Sequence, residues 1–239
     1  MQRILSLFDS HVPHQIELGP VFEFAKDFKP TTIVLGGDIH EWGAVSSWVC
    51  NQARHLDGGT IKEAYGQMEE KVLAPLKQAA PAAKRIFLTG NHEDWLRKAS
   101  EADPNLRGFV ELGRNVEGWR ILPFNVPYRA SKNLVYIHGS YQNEYHAKKT
   151  ALAYHCSVIY GHMHEIQSHT LVSPVDDTCF YKAQSVGCLC TLNPQWKKNM
   201  PNAWVNGFNF CYVNDDGTFQ DFNVVIVKGK FWAEGRQYK

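Results

Sequence analysis

Residues that can bind a metal ion follow five short apolar stretches of the sequence, each at its C-terminal end. Every stretch has the length and the β-branched or aromatic content of a buried strand. In an open α/β sheet the carboxyl ends of parallel strands meet at one edge, so we expect these side chains to converge there. The stretches and the residues that follow them are Arg3–Phe8 with Asp9 and His11, Thr32–Leu35 with Asp38, Arg85–Thr89 with Asn91 and His92, Leu134–Ile137 with His138, and Cys156–Tyr160 with His162 and His164.

The residue types predict a site for first-row divalent ions. A mixture of carboxylate, amide and imidazole ligands suits manganese, iron, nickel, cobalt or zinc better than calcium, which prefers oxygen ligands alone. The ligand types do not select one of these ions. Glycines adjoin the candidate ligands, and they allow the close backbone approach that a crowded site needs. They are Gly37, Gly90, Gly139 and Gly161.

The order of these motifs resembles the calcineurin-like metallophosphoesterase superfamily. The resemblance covers about Arg3 to His164, and its segments are Asp9-x-His11, Gly37-Asp38, Gly90-Asn91-His92-Glu93, His138-Gly139 and Gly161-His162-Met163-His164. The family fold that this implies is α/β, a two-sheet β-sandwich flanked by helices. On this interpretation the antiparallel strands at the C-terminal end belong to the second sheet.

The resemblance also implies a site with two divalent ions. One ion would take Asp9, His11, Asp38 and His164, and the other would take Asp38, Asn91, His138 and His162, so that Asp38 bridges them. Two ions at such a site acidify the attacking water and bind the phosphoryl oxygens. His92 would act as the general acid that protonates the leaving oxygen. The expected activity is metal-dependent hydrolysis of phosphodiester or phosphomonoester bonds.

The residues that follow the motifs bear on the substrate. After Gly37-Asp38 the chain continues as Ile39-His40-Glu41-Trp42 and lacks the Asp-Arg-Gly continuation of the serine/threonine protein phosphatases, which argues against a phosphoprotein substrate. A DNA nuclease or exonuclease stays open as an alternative, because four lysines could contact nucleic acid. These are Lys197, Lys198, Lys228 and Lys230.

A non-catalytic interaction scaffold is the alternative from a different class. A scaffold has no physical reason to keep seven ligand-type residues at strand ends, so the sequence favours an enzyme. The expected partner is a phosphate-ester substrate, with nucleotides and nucleic acid included and a membrane excluded.

Other side chains near the motifs have no assigned role. For His14 and His40 we favour solvated loop positions, and for Trp42, Trp95 and Tyr141 we favour packing over stacking on a base or aryl group.

The elements that position these residues alternate along the chain. Helical patterns over about 17–28, 60–78 and 144–154 lie between the strand candidates, as is typical of a parallel sheet covered by helices. Beyond about residue 165, the aromatic-rich runs 208–213 and 222–227 are joined by Asn214-Asp215-Asp216-Gly217, which predicts an antiparallel hairpin. We therefore predict one metallophosphoesterase domain over 1–239, with the motif core at about 3–164 and antiparallel strands at about 165–227.

The composition is that of an ordinary folded protein. The 239 residues are 44% hydrophobic and 21% charged, with a net charge of +1, which excludes disorder and argues against affinity based mainly on nucleic-acid phosphates. No apolar run approaches the roughly 18 residues of a membrane helix, and the N-terminus lacks a signal-peptide core. The six cysteines lack the paired spacing of a zinc knuckle and of a dense disulfide framework. We therefore expect a cytoplasmic protein with reduced thiols.

Overall fold

The computed structural model describes residues 1–46, 49, 59–176 and 180–239. Most strands belong to two sheets, and the last two form a short hairpin. The strands are β1 (Gln2–Leu7), β2 (Thr32–Leu35), β3 (Lys84–Leu88), β4 (Arg120–Leu122), β5 (Tyr128–Arg129), β6 (Leu134–Tyr136), β7 (Ser157–Tyr160), β8 (Ile166–Val172), β9 (Phe180–Val186), β10 (Gly207–Val213), β11 (Phe219–Val225), β12 (Phe231–Ala233) and β13 (Arg236–Tyr238).

The helices lie mainly between the parallel strands. They are α1 (Gly19–Phe28), α2 (Ile61–Met68), α3 (Ala74–Ala79), α4 (Asn91–Ala102), α5 (Leu112–Asn115) and α6 (His146–Tyr154). A π-helical turn, Glu69–Leu73, makes α2 and α3 continuous, and short 3-10 turns cover Gly43–Val45, Pro104–Leu106 and Gln195–Lys197. Thr60 caps α2 by accepting the backbone N–H of Glu63, whose carboxylate accepts the Thr60 N–H in return. The helix predicted over 60–78 is thus confirmed.

The first sheet has the order β11-β10-β1-β2-β3-β4. Strands β1 to β4 are parallel to one another, whereas β10 is antiparallel to β1 and pairs Val213 with Gln2. The second sheet has the order β5-β6-β7-β9-β8, in which β6, β7 and β9 are parallel. In both sheets the motif-bearing strands therefore run in one direction, so their carboxyl ends lie at the same edge.

Three hydrophobic clusters define the layers. Side chains of both sheets, such as Ile4, Val34 and Tyr136, pack together in one cluster. The opposite face of the first sheet packs against α1, α2 and α3, and the second sheet packs against α6. Both faces of the central strands are therefore buried, which explains why these strands are continuous apolar runs rather than alternating patterns. The two-sheet α/β sandwich flanked by helices is confirmed.

The C-terminal strands were only partly assigned correctly by the sequence pattern. The hairpin over 208–213 and 222–227 is present as β10 and β11, but it extends the first sheet and not the second. In the second sheet the antiparallel pairs are β8 with β9 and β5 with β6. Helix α4, which starts at the motif residue Asn91, was also not predicted.

None of the helices in the described part of the chain has the length and apolar character needed to span a bilayer. Four cysteines, Cys156, Cys188, Cys190 and Cys211, are free thiols. Cys50 and Cys179 lie outside the described residues.

Candidate metal centre

The seven candidate ligands lie at the carboxyl ends of five strands. Asp9 and His11 follow β1, Asp38 follows β2, and Asn91 follows β3 at the start of α4. The second sheet contributes His138 after β6 and His162 and His164 after β7. The backbone joins neighbouring segments, because the N–H of Asp9 donates to the carbonyl of Gly37 and the N–H of His11 donates to that of Asp38.

Five of the seven candidate ligands have left-handed backbone conformations. Their φ values are 53° at Asp9, 47° at His11, 50° at Asp38, 70° at His162 and 61° at His164. This conformation is unfavourable for residues with a Cβ, and such strain accumulates at functional sites, where the surrounding structure enforces it. The backbone after these strands is therefore bent in a way that directs the candidate-ligand side chains. The conformational preferences of these residues alone do not favour that bend.

Two glycines let the segments approach this closely. A Cβ at Gly90 would lie 2.2 Å from Oδ1 of Asp38, and a Cβ at Gly161 would lie 2.2 Å from Oδ2 of Asp9. Both atoms belong to buried carboxylates, so neither site can accept a larger residue without moving a candidate ligand.

Asp9, His11 and His164 form the first group of candidate ligand atoms. The Nε2 atoms of His11 and His164 are 3.1 Å apart, and Nε2 of His164 is 3.6 Å from Oδ1 of Asp9. All three side chains are buried. Oδ1 of Asp9 has no hydrogen-bond partner among the described residues, while Oδ2 accepts the backbone N–H of His162.

Asp38, His138, His162 and Asn91 form the second group. Nε2 of His138 lies 3.0 Å from Oδ1 of Asn91, 3.2 Å from Nδ1 of His162 and 3.4 Å from Oδ2 of Asp38. The same Oδ2 of Asp38 is 3.9 Å from Nε2 of His11 in the first group. Asp38 thus lies near ligand atoms of both groups.

Each of the four histidines has a partner on its other ring nitrogen. Nδ1 of His11 donates to Glu41 at 2.8 Å, and Nδ1 of His138 donates to the Gly36 carbonyl at 2.9 Å. The side-chain amide of Gln142 contacts Nε2 of His162 at 2.8 Å, and Cys190 Sγ lies 3.8 Å from Nδ1 of His164. Partners of this kind orient metal-binding imidazoles, and the sequence motifs did not reveal them.

The charges in the site perturb one another strongly. Burial alone would lower the pKa of His11, but the hydrogen bond and charge of Glu41 outweigh it and raise that pKa to about 10. The pKa of His138 is likewise raised to about 9, because Asp38 outweighs the effect of burial. In turn the imidazoles of His138 and His92 hold the pKa of Asp38 well below its ordinary value, although burial acts to raise it. Concentrated opposite charges of this kind mark candidate functional sites.

The environments of His162 and His164 favour the neutral form of the imidazole. Burial lowers the pKa of His162 to about 4, and the neighbouring His138 charge lowers it further. Burial also lowers the pKa of His164, despite the nearby Asp9 carboxylate. A neutral imidazole offers the lone pair that a metal needs, so both side chains have the protonation state of a ligand at neutral pH.

His92 lies beside both groups. Its backbone N–H donates to Oδ1 of Asp38 at 2.9 Å, and its Nδ1 donates to the carbonyl of Glu41 at 2.9 Å. Nε2 is 3.9 Å from Oδ2 of Asp38, and the ring packs against Trp95 with centroids 4.0 Å apart. His92 also forms a third group of possible metal ligands with His11 and Asp38, so its position alone fits either a ligand or an acid.

The remaining residues near the motifs have different environments. His40 is fully buried, so the expected solvated loop position is wrong. Its Nδ1 accepts the backbone N–H of Trp42, whose ring is also buried, as expected for packing. His14 is half-buried and packs its ring edge-on to Trp196 beside the site, while Tyr141 packs under the ammonium of Lys149.

The donor set fits divalent ions. In the first group the Nε2 atoms of His11 and His164 are 3.1 Å apart, so at most one of the two nitrogens can accept a hydrogen bond from the other. Beside them lies a buried carboxylate oxygen without a hydrogen-bond partner in the described structure. A cation coordinated by all three atoms would resolve both features, since nitrogen and oxygen lone pairs would then share one positive charge.

No protein-family model matches the chain, and no curated protein matches it in sequence. Solved structures do match it. Vps29 of Chaetomium thermophilum has 13% identity and a TM-score of 0.49, with 100% of this chain and 98% of that chain covered. A Thermotoga maritima protein has 13% identity and a TM-score of 0.39 over 93% and 99% of the two chains.

A conserved uncharacterised protein of Streptococcus pneumoniae, described as a predicted phosphoesterase, has 11% identity and a TM-score of 0.33 over 92% and 97%. Identities and scores this low support no statement about activity. The chain's own motif residues converge at one edge of a two-sheet sandwich. In motif order and in fold, this chain is similar to the calcineurin-like metallophosphoesterases.

Proposed function

We propose that the protein is a phosphoesterase that uses two divalent ions to hydrolyse phosphodiester or phosphomonoester bonds. One observation carries the proposal: candidate ligand atoms from five strand ends lie in two groups that meet at Asp38. The proposed ligands are Asp9, His11, Asp38 and His164 for one ion and Asp38, Asn91, His138 and His162 for the other. Manganese, iron, nickel, cobalt and zinc all suit this set of ligands.

Bound ions of this kind acidify water and neutralise the charge of a phosphoryl group. The chain's own contribution is to hold the ligands rigidly. Asp9 and Asp38 are fully or almost fully buried, and each accepts a backbone N–H with one oxygen, so the other oxygen is available. Asn91 adds a neutral amide oxygen, which limits the negative charge around the second ion.

We assign the proton transfer to His92. Nδ1–H is held by the carbonyl of Glu41, so Nε2 is the nitrogen that faces the site. When the ring is doubly protonated, Nε2–H can be given to the departing oxygen as its bond to phosphorus breaks. Packing against Trp95 keeps the ring in place.

Glu41 connects the acid with a ligand. Its Oε2 is 2.8 Å from Nδ1 of His11 and 3.7 Å from Nδ1 of His92. Burial raises the pKa of Glu41, but its contact with His11 is stronger and brings that pKa to about 2, so the carboxylate is charged at neutral pH. Its hydrogen bond to Nδ1 orients the His11 ring so that Nε2 faces the first group.

The direct test combines metal analysis with a substrate screen. Protein loaded with each candidate ion would be assayed on an aryl monoester, an aryl diester, cyclic nucleotides and single- and double-stranded DNA. We expect two ions per chain and metal-dependent turnover of at least one ester. Polynucleotide cleavage that weakens steeply with salt would instead favour the nuclease. Full metal loading with no turnover on any ester would contradict the proposal and favour the scaffold.

A further inference from the structure

Two clefts open from the candidate centre. The first extends past Cys190 and Thr191 to the rings of Trp196 and Trp204. The second extends along α4 and the segments after β4 and β6, with walls that include Trp95, Phe124 and Gln142. The described residues that line both clefts are Glu41, Asn91, His92 and His162, all of which lie in or beside the candidate centre.

This arrangement matches the number of substituents in a phosphodiester. A phosphoryl group at the shared residues would have one cleft leading away toward Trp196 and another leading away toward Phe124. A phosphomonoester has one organic substituent and would fill one cleft. A phosphodiester has two and would fill both.

The charge of the cleft walls also favours a phosphodiester over a phosphomonoester. Among the described residues neither cleft is lined by an arginine. Lys98, which lines the second cleft, is paired with Asp94 at 3.1 Å, and the ammonium of Lys197 beside the first cleft stands over the ring of Trp204. A diester carries one negative charge and a monoester carries close to two, so the diester needs less positive charge from the walls.

The walls suit apolar or planar substituents. In the first cleft the ring of Trp204 packs against His164, and the ammonium of Lys197 lies 3.6 Å from its centroid. Trp196 packs edge-on against His14 at the same cleft. In the second cleft the half-buried rings of Trp95 and Phe124 stand beside the polar side chains of Asn125 and Ser140. Aromatic walls bind flat rings, and the polar side chains beside them can contact the polar edges of such rings.

We propose that the substrate is a phosphodiester monoanion whose two substituents occupy these two clefts; this rests on the proposed function. In the reaction water adds its oxygen to phosphorus, and the bond from phosphorus to one ester oxygen breaks. His92 supplies the proton to that oxygen, and the proton lost by water replaces it. The products are one alcohol and one phosphomonoester.

The test compares 4-nitrophenyl phosphate with bis(4-nitrophenyl) phosphate, which have the same leaving group and differ in the second ring. We expect kcat/KM of the metal-loaded protein to be about tenfold or more higher for the diester, because the second ring contacts a second wall. Trp196→Ala and Phe124→Ala each remove one wall. Together they should lower kcat/KM about a hundredfold for the diester and about tenfold for the monoester. Trp232→Ala, in the exposed β12–β13 hairpin, is the control.

Binding of uncleavable analogues gives a second readout. Diphenylphosphinate is a monoanion with two P–C bonds, and phenylphosphonate has one ring and a second charge. Calorimetry should show tighter binding of the phosphinate, with the difference abolished in the double variant. Tighter binding of the phosphonate, or equal losses on both esters, would overturn the inference while leaving the phosphoesterase intact. Absence of turnover on both esters with two ions bound would overturn the proposed function and this inference with it.

Discussion

The carboxylate of Glu93 accepts a 2.7 Å hydrogen bond from the backbone N–H of Asp38. It also accepts the N–H groups of Ile39 and Gly90, so one buried side chain holds the ends of β2 and β3 together. Asp38 has a φ of 50°, which a residue with a Cβ adopts only when its surroundings enforce it. Glu93 supplies that constraint, and the position of the proposed bridging ligand therefore depends on a residue that binds no metal itself.

Replacing Glu93 with glutamine should loosen the metal site. The amide keeps one acceptor oxygen but turns an NH2 group toward backbone donors, and a buried donor left without an acceptor costs about 1–3 kcal/mol. Loss of a residue that orients ligands usually weakens metal binding by about 10- to 100-fold. Denaturant unfolding of the metal-free protein and metal titration measure the two effects. The control is Glu101→Gln, an exposed position on the same helix α4. Parent-like metal affinity in Glu93→Gln would contradict the role given to this carboxylate.

Asp38→Ala should remove both ions, whereas His138→Ala should deplete mainly one. Asp38 lies near ligand atoms of both groups, at 3.9 Å from His11 and 3.4 Å from His138, while His138 contacts the second group. Elemental analysis of the purified variants after metal loading measures the stoichiometry. Retention of the parent metal content by Asp38→Ala would show that this carboxylate does not bridge.

Metal binding should release about two protons per chain at pH 7.5, because a ligand imidazole must lose its proton. In the metal-free protein the pKa values of His11 and His138 are raised to about 10 and about 9, so both rings are protonated at this pH. His162 and His164 have lowered pKa values and release none. Metal affinity should accordingly fall as the pH drops below about 10, well above the ordinary titration range of histidine.

Calorimetry in buffers with different protonation enthalpies counts the released protons. The His138→Gln variant should release about one proton fewer than the parent on metal binding, since one histidine with a raised pKa is then absent. Release close to zero in the parent at pH 7.5 would mean that His11 and His138 are neutral before the metal binds.

The sequence predicted the strand ends well because the chemistry is local there. The seven candidate ligands follow five apolar runs, one or two after each run, and the direction of parallel strands then brings the ends together without knowledge of the pairing. The sheet to which β10 belongs was not predictable in this way. Its partner β1 is at the other end of the chain, with Val213 opposite Gln2, and an alternating pattern does not encode its partner.

The groups around the ligands were missed for a related reason. Glu41 and Cys190 carry no motif of their own, and their contacts with His11 and His164 exist only once distant segments fold together. Helix α4 did leave a signal, since Glu93 follows the N-cap Gly90 by three residues as in a capping box. No sequence signal indicated the buried position of His40, because a histidine next to a metal-binding motif has the same sequence context in a loop and in a core.

His92→Ala should separate acid catalysis from metal binding. Loss of a general acid usually lowers the rate by about a hundredfold to ten-thousandfold. The loss should depend on the leaving group, because a nitrophenolate departs readily without a proton and an alkoxide or ribose oxygen does not. We therefore expect a small decrease in kcat on aryl esters and a large one on alkyl or nucleoside esters.

Turnover of both ester types by the parent and the variant, with metal content determined in each preparation, measures this difference. Trp95→Leu is a useful companion, since it removes the ring that packs on His92 while the imidazole stays. It should lower kcat on alkyl esters less than His92→Ala does. An equal proportional loss on aryl and alkyl esters would exclude the acid role and leave His92 as a positioning residue. A variant that had lost metal would instead mean that His92 supports the metal-binding residues, as its nearness to His11 and Asp38 also permits.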